Sequence, residues 1–313
     1  MSKSLLAVFG ATGNQGNSTA NFVLDSPELS QRYAVRAISR DASKSKMQEL
    51  QSKGAELVQA DLDDASSLTA ALKGAEYVFF ITTTQYQGNT REIETRQAKA
   101  LCEAALKEGV KYIIFSSMSH PFKISKGALK HVEHFDDKAE IEQYIRSLPV
   151  KSAFFAPGSF MQNFLSHFMK PRPSPSGDGT YVIANVCKGS TPVPYIDITE
   201  TGKWIGAILA DPEKYEGKFF AAAEGLYTFE ESCKIVEKVT GKTVNYKQLP
   251  DHVFQEFLPP GMKEQLYEMW ALSRDYGYYG EDMKEQITWA KDQAIGKLTG
   301  LEEFLRKEKY SLE

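Results

Sequence analysis

The sequence predicts an α/β fold, in which a doubly wound parallel sheet carries a smaller, discontinuous C-terminal α/β lobe. Through the first half of its 313 residues, short and almost continuously apolar runs alternate with amphipathic helical patterns. This alternation is typical of a parallel sheet with helices on both faces. A glycine-rich turn follows the first run at residues 10–16, and prolines interrupt the alternation after residue 157.

The first element is a strand at residues 5–9, followed by Gly10, Gly13 and Gly16 and then by a helix that ends near residues 25–27. Without side chains, the turn can be tight and can approach a pyrophosphate closely. The unpaired N–H groups and the dipole of the helix start favour negative charge. The spacing is GxxGxxG rather than GxGxxG, and the strand and helix around it favour a Rossmann-type dinucleotide site.

The second strand, at residues 33–39, ends at Arg40. An acidic residue at this point binds the ribose 2′-hydroxyl of NAD, whereas an arginine accommodates the 2′-phosphate of NADP. Lys44 and Lys46 follow closely, so three cations are expected at one loop. The pattern favours NADP(H) over NAD(H), and the alternative is that Arg40 is a solvated residue at a strand end.

The remaining elements continue the alternation. A helix is predicted for residues 160–169, an exposed proline-rich loop for 171–179 and a return to the sheet and its helices for 195–209. The other predicted strands are residues 56–60, 77–81, 112–116, 152–156 and 219–222, and the other predicted helices are 66–72, 91–108, 131–147 and 229–240.

These elements suggest a division of the chain around the expected cofactor. We expect residues 1–157 to form the nucleotide-binding domain, completed by a sheet return around residues 195–222. Residues 158–194 and 223–313 are expected to form the small lobe that binds substrate or a partner.

Composition narrows the function classes. A net charge of −4 argues against direct binding of nucleic acid, so a role in gene control would run through a protein partner. The three cysteines show no metal-ligand spacing, which predicts reduced thiols and a cytoplasmic or nuclear compartment. No segment approaches the ~20 apolar residues of a membrane helix, and no secretion signal is evident, so we expect a soluble protein.

Several segments match one family pattern: residues 10–16, 39–40, 59–64, 115–117, 134–138, 140–144 and 160–164. In these segments, and over nearly its whole length, the chain resembles the NmrA-like family of atypical short-chain dehydrogenases/reductases, in particular its redox-sensor branch. The resemblance implies NADP(H) as the cofactor. It also suggests Arg96 in place of a lysine of the sensor branch.

The resemblance further implies a set of cofactor contacts. They are Gly10, Ala11, Thr12, Gly13, Asn14 and Gln15 of the turn ending at Gly16 for the pyrophosphate, Arg40 and Lys44 for the 2′-phosphate, Asp61 and Leu62 for the adenine, Thr82, Thr83 and Thr84 further along, and Lys138, Phe160, Met161, Gln162 and Asn163 at the nicotinamide end.

The catalytic residues are less clear, because His134 stands where related dehydrogenases have the tyrosine of a Tyr-x-x-x-Lys pair. Four residues later, Lys138 shares its helix face and can bind the nicotinamide ribose. Three alternatives stay open: His134 is the acid, since its unperturbed pKa of ~6.5 suits the task; a tyrosine among residues 276–279 reaches in; or no chemistry occurs. Ser117, in the cluster at residues 116–119, could polarise a carbonyl or serve an ordinary turn.

Two functions therefore compete. The first is an NADP(H)-binding redox sensor that acts through a protein partner, such as a transcriptional or signalling regulator. The second is an NADPH-dependent reductase of a small apolar electrophile, namely a quinone, enone, imine or carbonyl compound. An intact cofactor site without the usual proton donor favours the first.

Overall fold

The computed structural model describes residues 2–84, 89–166 and 168–312. Its strands are β1 (Ser4–Phe9), β2 (Tyr33–Ser39), β3 (Glu56–Gln59), β4 (Tyr77–Phe80), β5 (Tyr112–Ser116), β6 (Lys151–Pro157), β7 (Ser159–Phe160), β8 (Arg172–Pro173), β9 (Tyr181–Asn185), β10 (Pro192–Ile196), β11 (Phe219–Ala222), β12 (Gly225–Thr228) and β13 (Val244–Gln248).

The α-helices are α1 (Asn14–Asp25), α2 (Leu29–Arg32), α3 (Ser45–Ser52), α4 (Ala65–Leu72), α5 (Thr90–Lys107), α6 (Pro121–Ile124), α7 (Glu133–Arg146), α8 (Thr201–Ala210), α9 (Phe229–Thr240), α10 (Asp251–Glu256), α11 (Lys263–Asp275), α12 (Met283–Gln293) and α13 (Leu301–Lys307). Short 3₁₀ turns lie at Met161–Leu165, Ile198–Glu200 and Pro260–Met262.

Seven parallel strands form the central sheet, in the order β11-β6-β5-β4-β1-β2-β3. The chain adds β2 and β3 on one side of β1 and β4 to β6 on the other. The order therefore reverses between β1 and β4, and in open α/β sheets ligands bind at such a switch point, beyond the carboxyl ends of the strands. The predicted doubly wound fold is confirmed.

Helices cover both faces of this sheet. On one face, α1 and α8 pack against each other, and Trp204 of α8 lies in the same apolar core as Val23 of α1. On the other face, Leu101 of α5 and Ile141 of α7 join the second core. Because both faces are covered, the strands are apolar at successive positions, which is the pattern visible in the sequence.

Two three-stranded sheets and the C-terminal helices surround a third apolar core. The sheets have the orders β12-β10-β7 and β13-β9-β8. Phe229 of α9, Phe304 of α13 and Phe164 of the 3₁₀ turn are fully buried between these elements.

The structure corrects the prediction of a helix at residues 160–169. Phe160 pairs with Ile196 of β10, and a 3₁₀ turn follows at Met161–Leu165. Met161 and Phe164 are both buried three residues apart, which suits the three-residue repeat of a 3₁₀ turn as well as an α-helix. Residue 167 lies outside the described residues.

A second correction concerns residues 195–209. The strand in this segment, β10, pairs with β7 and β12 rather than with the central sheet. The helix α8 does return to the central sheet, and β11 adds its last strand beside β6. The sequence also gave no prediction of α3, which places Lys46 on a helix rather than in a loop.

Within the described residues, no helix combines the length and apolar character that crossing a bilayer requires.

Candidate nucleotide-binding and active site

The glycines of the first turn have different structural tasks. Gly10 has a φ of +67°, a left-handed conformation that favours glycine. A Cβ on Gly16 would lie 2.4 Å from the backbone oxygen of Gly10, so only glycine allows α1 to pack this closely on the end of β1. Gly13 caps α1 without a side-chain hydrogen bond to its first turn. The N–H groups in the first helical turn of α1 are thus left for an anion.

Arg40 follows β2 at the same edge of the sheet. Its side chain is exposed, and within the described residues it makes no ion pair and no side-chain hydrogen bond. Its guanidinium lies close enough to Asp63 to contribute to a lowered carboxyl pKa there, although the hydrogen bond from Arg96 is the larger cause. A positive charge without an internal partner is therefore present where a 2′-phosphate is expected.

A cavity of about 880 Å³ extends along the carboxyl ends of β1 to β6. One end is lined by the glycine turn and Arg40, and the cavity continues past Lys138 to the inner side of α11. The predicted residues that line it are Gly10, Thr12, Gly13, Asn14, Gln15, Gly16, Arg40, Asp61, Leu62, Thr82, Thr83, Thr84, Ser117, His134, Lys138, Phe160 and Asn163.

Four predicted contacts lie outside this lining. The Ala11 side chain is buried in the core beneath the turn, and Met161 is buried in the third apolar core. The Gln162 amide donates a hydrogen bond to Asp197 Oδ1 at 2.7 Å, which holds it away from the cavity. Lys44 is exposed at the N-terminus of α3.

Arg96 also points elsewhere. It is exposed and its Nη2 donates to Asp63 Oδ1 at 2.8 Å, so its side chain stays outside the cavity. The correspondence of Arg96 to a lysine of the sensor branch stays a prediction.

Lys138 is buried on α7, with its ammonium between two elements. Nζ donates to Glu94 Oε2 on α5 at 2.5 Å and to Thr84 Oγ1 at 2.8 Å. The Thr82 hydroxyl donates to the same Glu94 oxygen. Burial lowers the pKa of Lys138, while the Glu94 carboxylate opposes this shift by stabilising the charged form.

His134 lines the cavity one helical turn before Lys138. Burial, with a smaller contribution from the Lys138 charge, lowers the pKa of His134 to about 3. Gln265 Nε2 on α11 lies 2.8 Å from His134 Nδ1, so in the neutral ring Nδ1 accepts and Nε2 carries the proton. His134 is therefore uncharged at neutral pH, and its role as the acid stays a prediction.

Ser117 lines the cavity but is engaged with a buried carboxyl group. Its hydroxyl donates to Glu142 Oε2 at 2.6 Å, and Arg146 approaches the other Glu142 oxygen at 2.7 Å. Burial raises the pKa of Glu142. The Ser117 hydroxyl is therefore held by a carboxylate behind the cavity wall. This contact is compatible both with a structural role at the strand end and with a catalytic role.

Among the three tyrosines at residues 276–279, Tyr278 alone lines the cavity. Its hydroxyl donates to the carbonyl of Pro157 at 3.4 Å. Tyr279 is buried and donates to the carbonyl of Ala156 at 2.8 Å. The tyrosine alternative thus narrows to Tyr278.

The far end of the cavity is an apolar compartment that the sequence did not reveal. Met262, Leu266, Met269 and Trp270 line it from the start of α11 and the turn before it. The last three residues are spaced as on one face of a helix, which is the sequence signal that could have found this helix. Nothing in the sequence indicates that the helix lies at the same cavity as the glycine turn. Within the described residues, no group of three or more His, Cys, Asp or Glu side chains is suited to a metal ion.

Comparison with known proteins agrees with this geometry. The family model described as "NmrA-like family" matches residues 2–305. A Dictyostelium discoideum protein with an NmrA-like family domain is 30% identical over 328 aligned positions that cover both chains completely. The chain belongs to the NmrA-like family.

Another member of the NmrA-like family, the oxidoreductase ptmS of Penicillium ochrochloron, is 28% identical over 257 positions, which cover 78% of this chain and 76% of that one. A solved structure of NmrA, described as a negative transcriptional regulator in complex with NADP, has a TM-score of 0.77. At 22% identity it covers 98% of this chain and 95% of its own and shows the shared fold.

Proposed function

We propose that this protein is an NADP(H)-dependent oxidoreductase that reduces a small apolar electrophile. The observation that carries the proposal is the continuity of the cavity. It begins at a glycine turn suited to a pyrophosphate and ends in a compartment lined by methionine, leucine and tryptophan side chains. Pockets that bind small molecules are mostly apolar with a few polar groups at defined positions, and this compartment fits that description.

The cofactor end is built by groups that the fold leaves without internal partners. Within the described residues, the first turn of α1 has no side-chain cap, and the buried Gln15 Oε1 has no hydrogen-bond partner. Arg40 supplies the cation expected near a 2′-phosphate. NADPH bound here supplies a hydride equivalent to the compartment beside Lys138 and His134.

The chemistry of the compartment narrows the electrophile. His134 is neutral, Ser117 donates to Glu142, and Lys138 is held by Glu94 and Thr84. None of these three groups is a ready acid for a strongly basic alkoxide, and the Tyr278 hydroxyl, which also lines the cavity, donates to the carbonyl of Pro157 at 3.4 Å. A quinone accepts a hydride to give a stabilised hydroquinone anion, and an iminium ion gives a neutral amine. Quinones and iminium ions are therefore favoured over simple carbonyl compounds and enones.

The names of several curated relatives support an enzyme, since they are described as oxidoreductases of this family. The sensor, which the sequence favoured, becomes the second candidate. The same scarcity of proton donors beside an intact cofactor site favours it, and NmrA itself is described as a transcriptional regulator. A sensor of this kind acts by a cofactor-dependent change in a surface that a regulatory protein binds.

Turnover distinguishes the two functions. We would follow NADPH oxidation by absorbance with a set of quinones, iminium ions, enones and aldehydes. We expect quinones or iminium ions to be reduced. Lys138→Ala should abolish or strongly reduce the rate, because the lysine binds at the nicotinamide end.

Met269→Ala is the matched variant in the substrate compartment, where we expect weaker substrate binding without weaker NADPH binding. NADPH binding without turnover across the whole set would overturn the enzyme proposal and favour the sensor. Calorimetry of NADPH binding, measured on the same protein, separates this outcome from a failure to bind cofactor.

A further inference from the structure

Glu94 is a buried carboxylate immediately behind the cavity wall. It lies on α5 and is 0% exposed, and it does not itself line the cavity. Its Oε2 accepts hydrogen bonds from Lys138 Nζ and from the hydroxyl of Thr82, both of which belong to residues that do line the cavity. Glu94 is therefore connected to the cavity by hydrogen bonds from these two side chains.

The hydrogen bonds of Lys138 define a direction for its ammonium. An ammonium has three N–H donors. Glu94 Oε2 takes one at 2.5 Å and Thr84 Oγ1 takes another at 2.8 Å. Within the described residues no further acceptor binds Lys138 Nζ, so the third N–H is left for a ligand in the cavity.

Within the described residues, the Glu94 carboxylate forms an ion pair with Lys138 and with no other cation. The titratable groups that face Lys138 are Glu94 from α5 and Asp137 and His134 from its own helix. Arg91 Nε binds Asp137 at 2.8 Å, so that carboxylate is shared. In the described part of the chain, Lys138 is the one cation that forms an ion pair with Glu94.

A buried ammonium is costly unless a partner compensates for its lost hydration. Burial lowers the pKa of Lys138, and Glu94 is the largest influence in the opposite direction. Removing the Glu94 charge would therefore leave the lysine easier to deprotonate and free to rotate away from Thr84.

We infer that Glu94 is a positioning residue, which anchors the Lys138 ammonium so that its third N–H is available to a ribose hydroxyl of NADP(H). This inference rests on the proposed function, because it concerns the same cofactor site. It adds to the proposed cofactor site a carboxylate on α5, which contributes to NADP(H) binding through Lys138 and does not itself contact the ligand.

The test is a double-mutant cycle of Glu94→Gln and Lys138→Met, read out as NADPH affinity by calorimetry. Gln preserves the shape of the side chain and Met preserves much of the lysine stem. We expect Glu94→Gln to weaken NADPH binding about tenfold, as removal of a charge-assisted contact does. In the Lys138→Met background the same change should have almost no further effect.

Measuring the NADPH affinity of Glu94→Gln over a range of pH values separates a positioning role from a purely structural one. A purely structural role would not make the loss of affinity depend on pH. The loss of affinity in Glu94→Gln should grow as the pH rises, because its Lys138 deprotonates at a lower pH than in the wild type. Asp136→Asn is the matched control. It removes a different buried carboxylate, on α7 rather than α5, which binds His120 and lies outside the cavity lining, and it should leave NADPH affinity unchanged.

Wild-type affinity in Glu94→Gln at every pH would overturn this inference and leave the proposed function intact. An equal loss of affinity in the presence and absence of Lys138 would also overturn it, because Glu94 would then act on the fold rather than through the lysine. If the wild-type protein binds no NADPH, the proposed function fails and the inference fails with it. Circular dichroism on each variant verifies that the fold is retained.

Discussion

Replacing Arg40 by alanine tests the preference for NADPH over NADH. The guanidinium is exposed at the end of β2 and makes no ion pair or side-chain hydrogen bond within the described residues, so its removal leaves only a weak charge interaction with Asp63 to be lost from the fold. Any loss of affinity then reports on the ligand rather than on the fold. Because NADPH differs from NADH only by its 2′-phosphate, comparing the affinities for the two cofactors reports on the contact between Arg40 and that phosphate.

The expected magnitude follows from the position of the side chain. A hydrogen bond to a charged group contributes about 1.5–3 kcal/mol. Solvent and salt weaken charge interactions at an exposed site, which favours the lower half of this range. A loss of about 2 kcal/mol corresponds to a roughly 30-fold weaker Kd for NADPH. NADH binding should change by less than about twofold, since no phosphate is lost.

The assay is isothermal titration of the wild type and Arg40→Ala with each cofactor, at low and at high salt. The NADPH penalty should shrink as the salt concentration rises. Lys46→Ala is the matched cation on α3 and should cost less, because its side chain does not line the cavity. Equal losses for NADPH and NADH in the Arg40→Ala variant would refute the 2′-phosphate assignment.

Three further predictions concern the glycine turn, the buried histidine and the apolar compartment. Gly16→Ala should destabilise the protein by about 1–3 kcal/mol in denaturant unfolding, because its Cβ would meet a backbone oxygen at 2.4 Å, whereas Gly261→Ala meets nothing and should be neutral. His134 stays uncharged in the fold down to about pH 3, so the wild type should lose stability as the pH falls below about 6.5, where the unfolded chain takes up the proton. His134→Phe should lose less over the same range, and equal slopes would contradict the buried neutral state. Met269→Ala should raise the substrate KM about tenfold without altering NADPH affinity, and a parallel loss of both would remove this residue from the substrate compartment.

The sequence predicted the central sheet well because its strands, apart from the edge strand β3, are largely buried on both faces. Their apolar runs are continuous and the helices between them are long, so the predicted strands of this sheet match the structure within about one residue at each end. The segment at residues 160–169 failed for the opposite reason. Phe160, Met161 and Phe164 follow a helical spacing, but the pairing of Phe160 with β10 decides the local structure. Such pairing depends on tertiary contacts that periodicity does not contain.

The same limit explains which parts of the site were found. Gly10, Arg40 and Lys138 were identified because local motifs mark them, at a strand end or on one helix face. Glu94 was missed, since its contact with Lys138 joins two helices and residues 44 positions apart. An isolated glutamate in an amphipathic helix looks like a solvated surface residue until the packing of α5 on α7 is known.

The thiols bear on how a redox signal could reach this protein. Cys102, Cys187 and Cys233 are buried, and burial raises the pKa of each to about 12. The thiolate is the form that oxidants attack, so these three cysteines are poor redox switches in the native fold. A redox-sensing role would therefore be expected to respond to the ratio of NADPH to NADP⁺ at the cavity rather than to oxidation of a cysteine. The two proposed functions would depend on the same cofactor contacts, and turnover of a substrate in the apolar compartment lined by α11 would distinguish them.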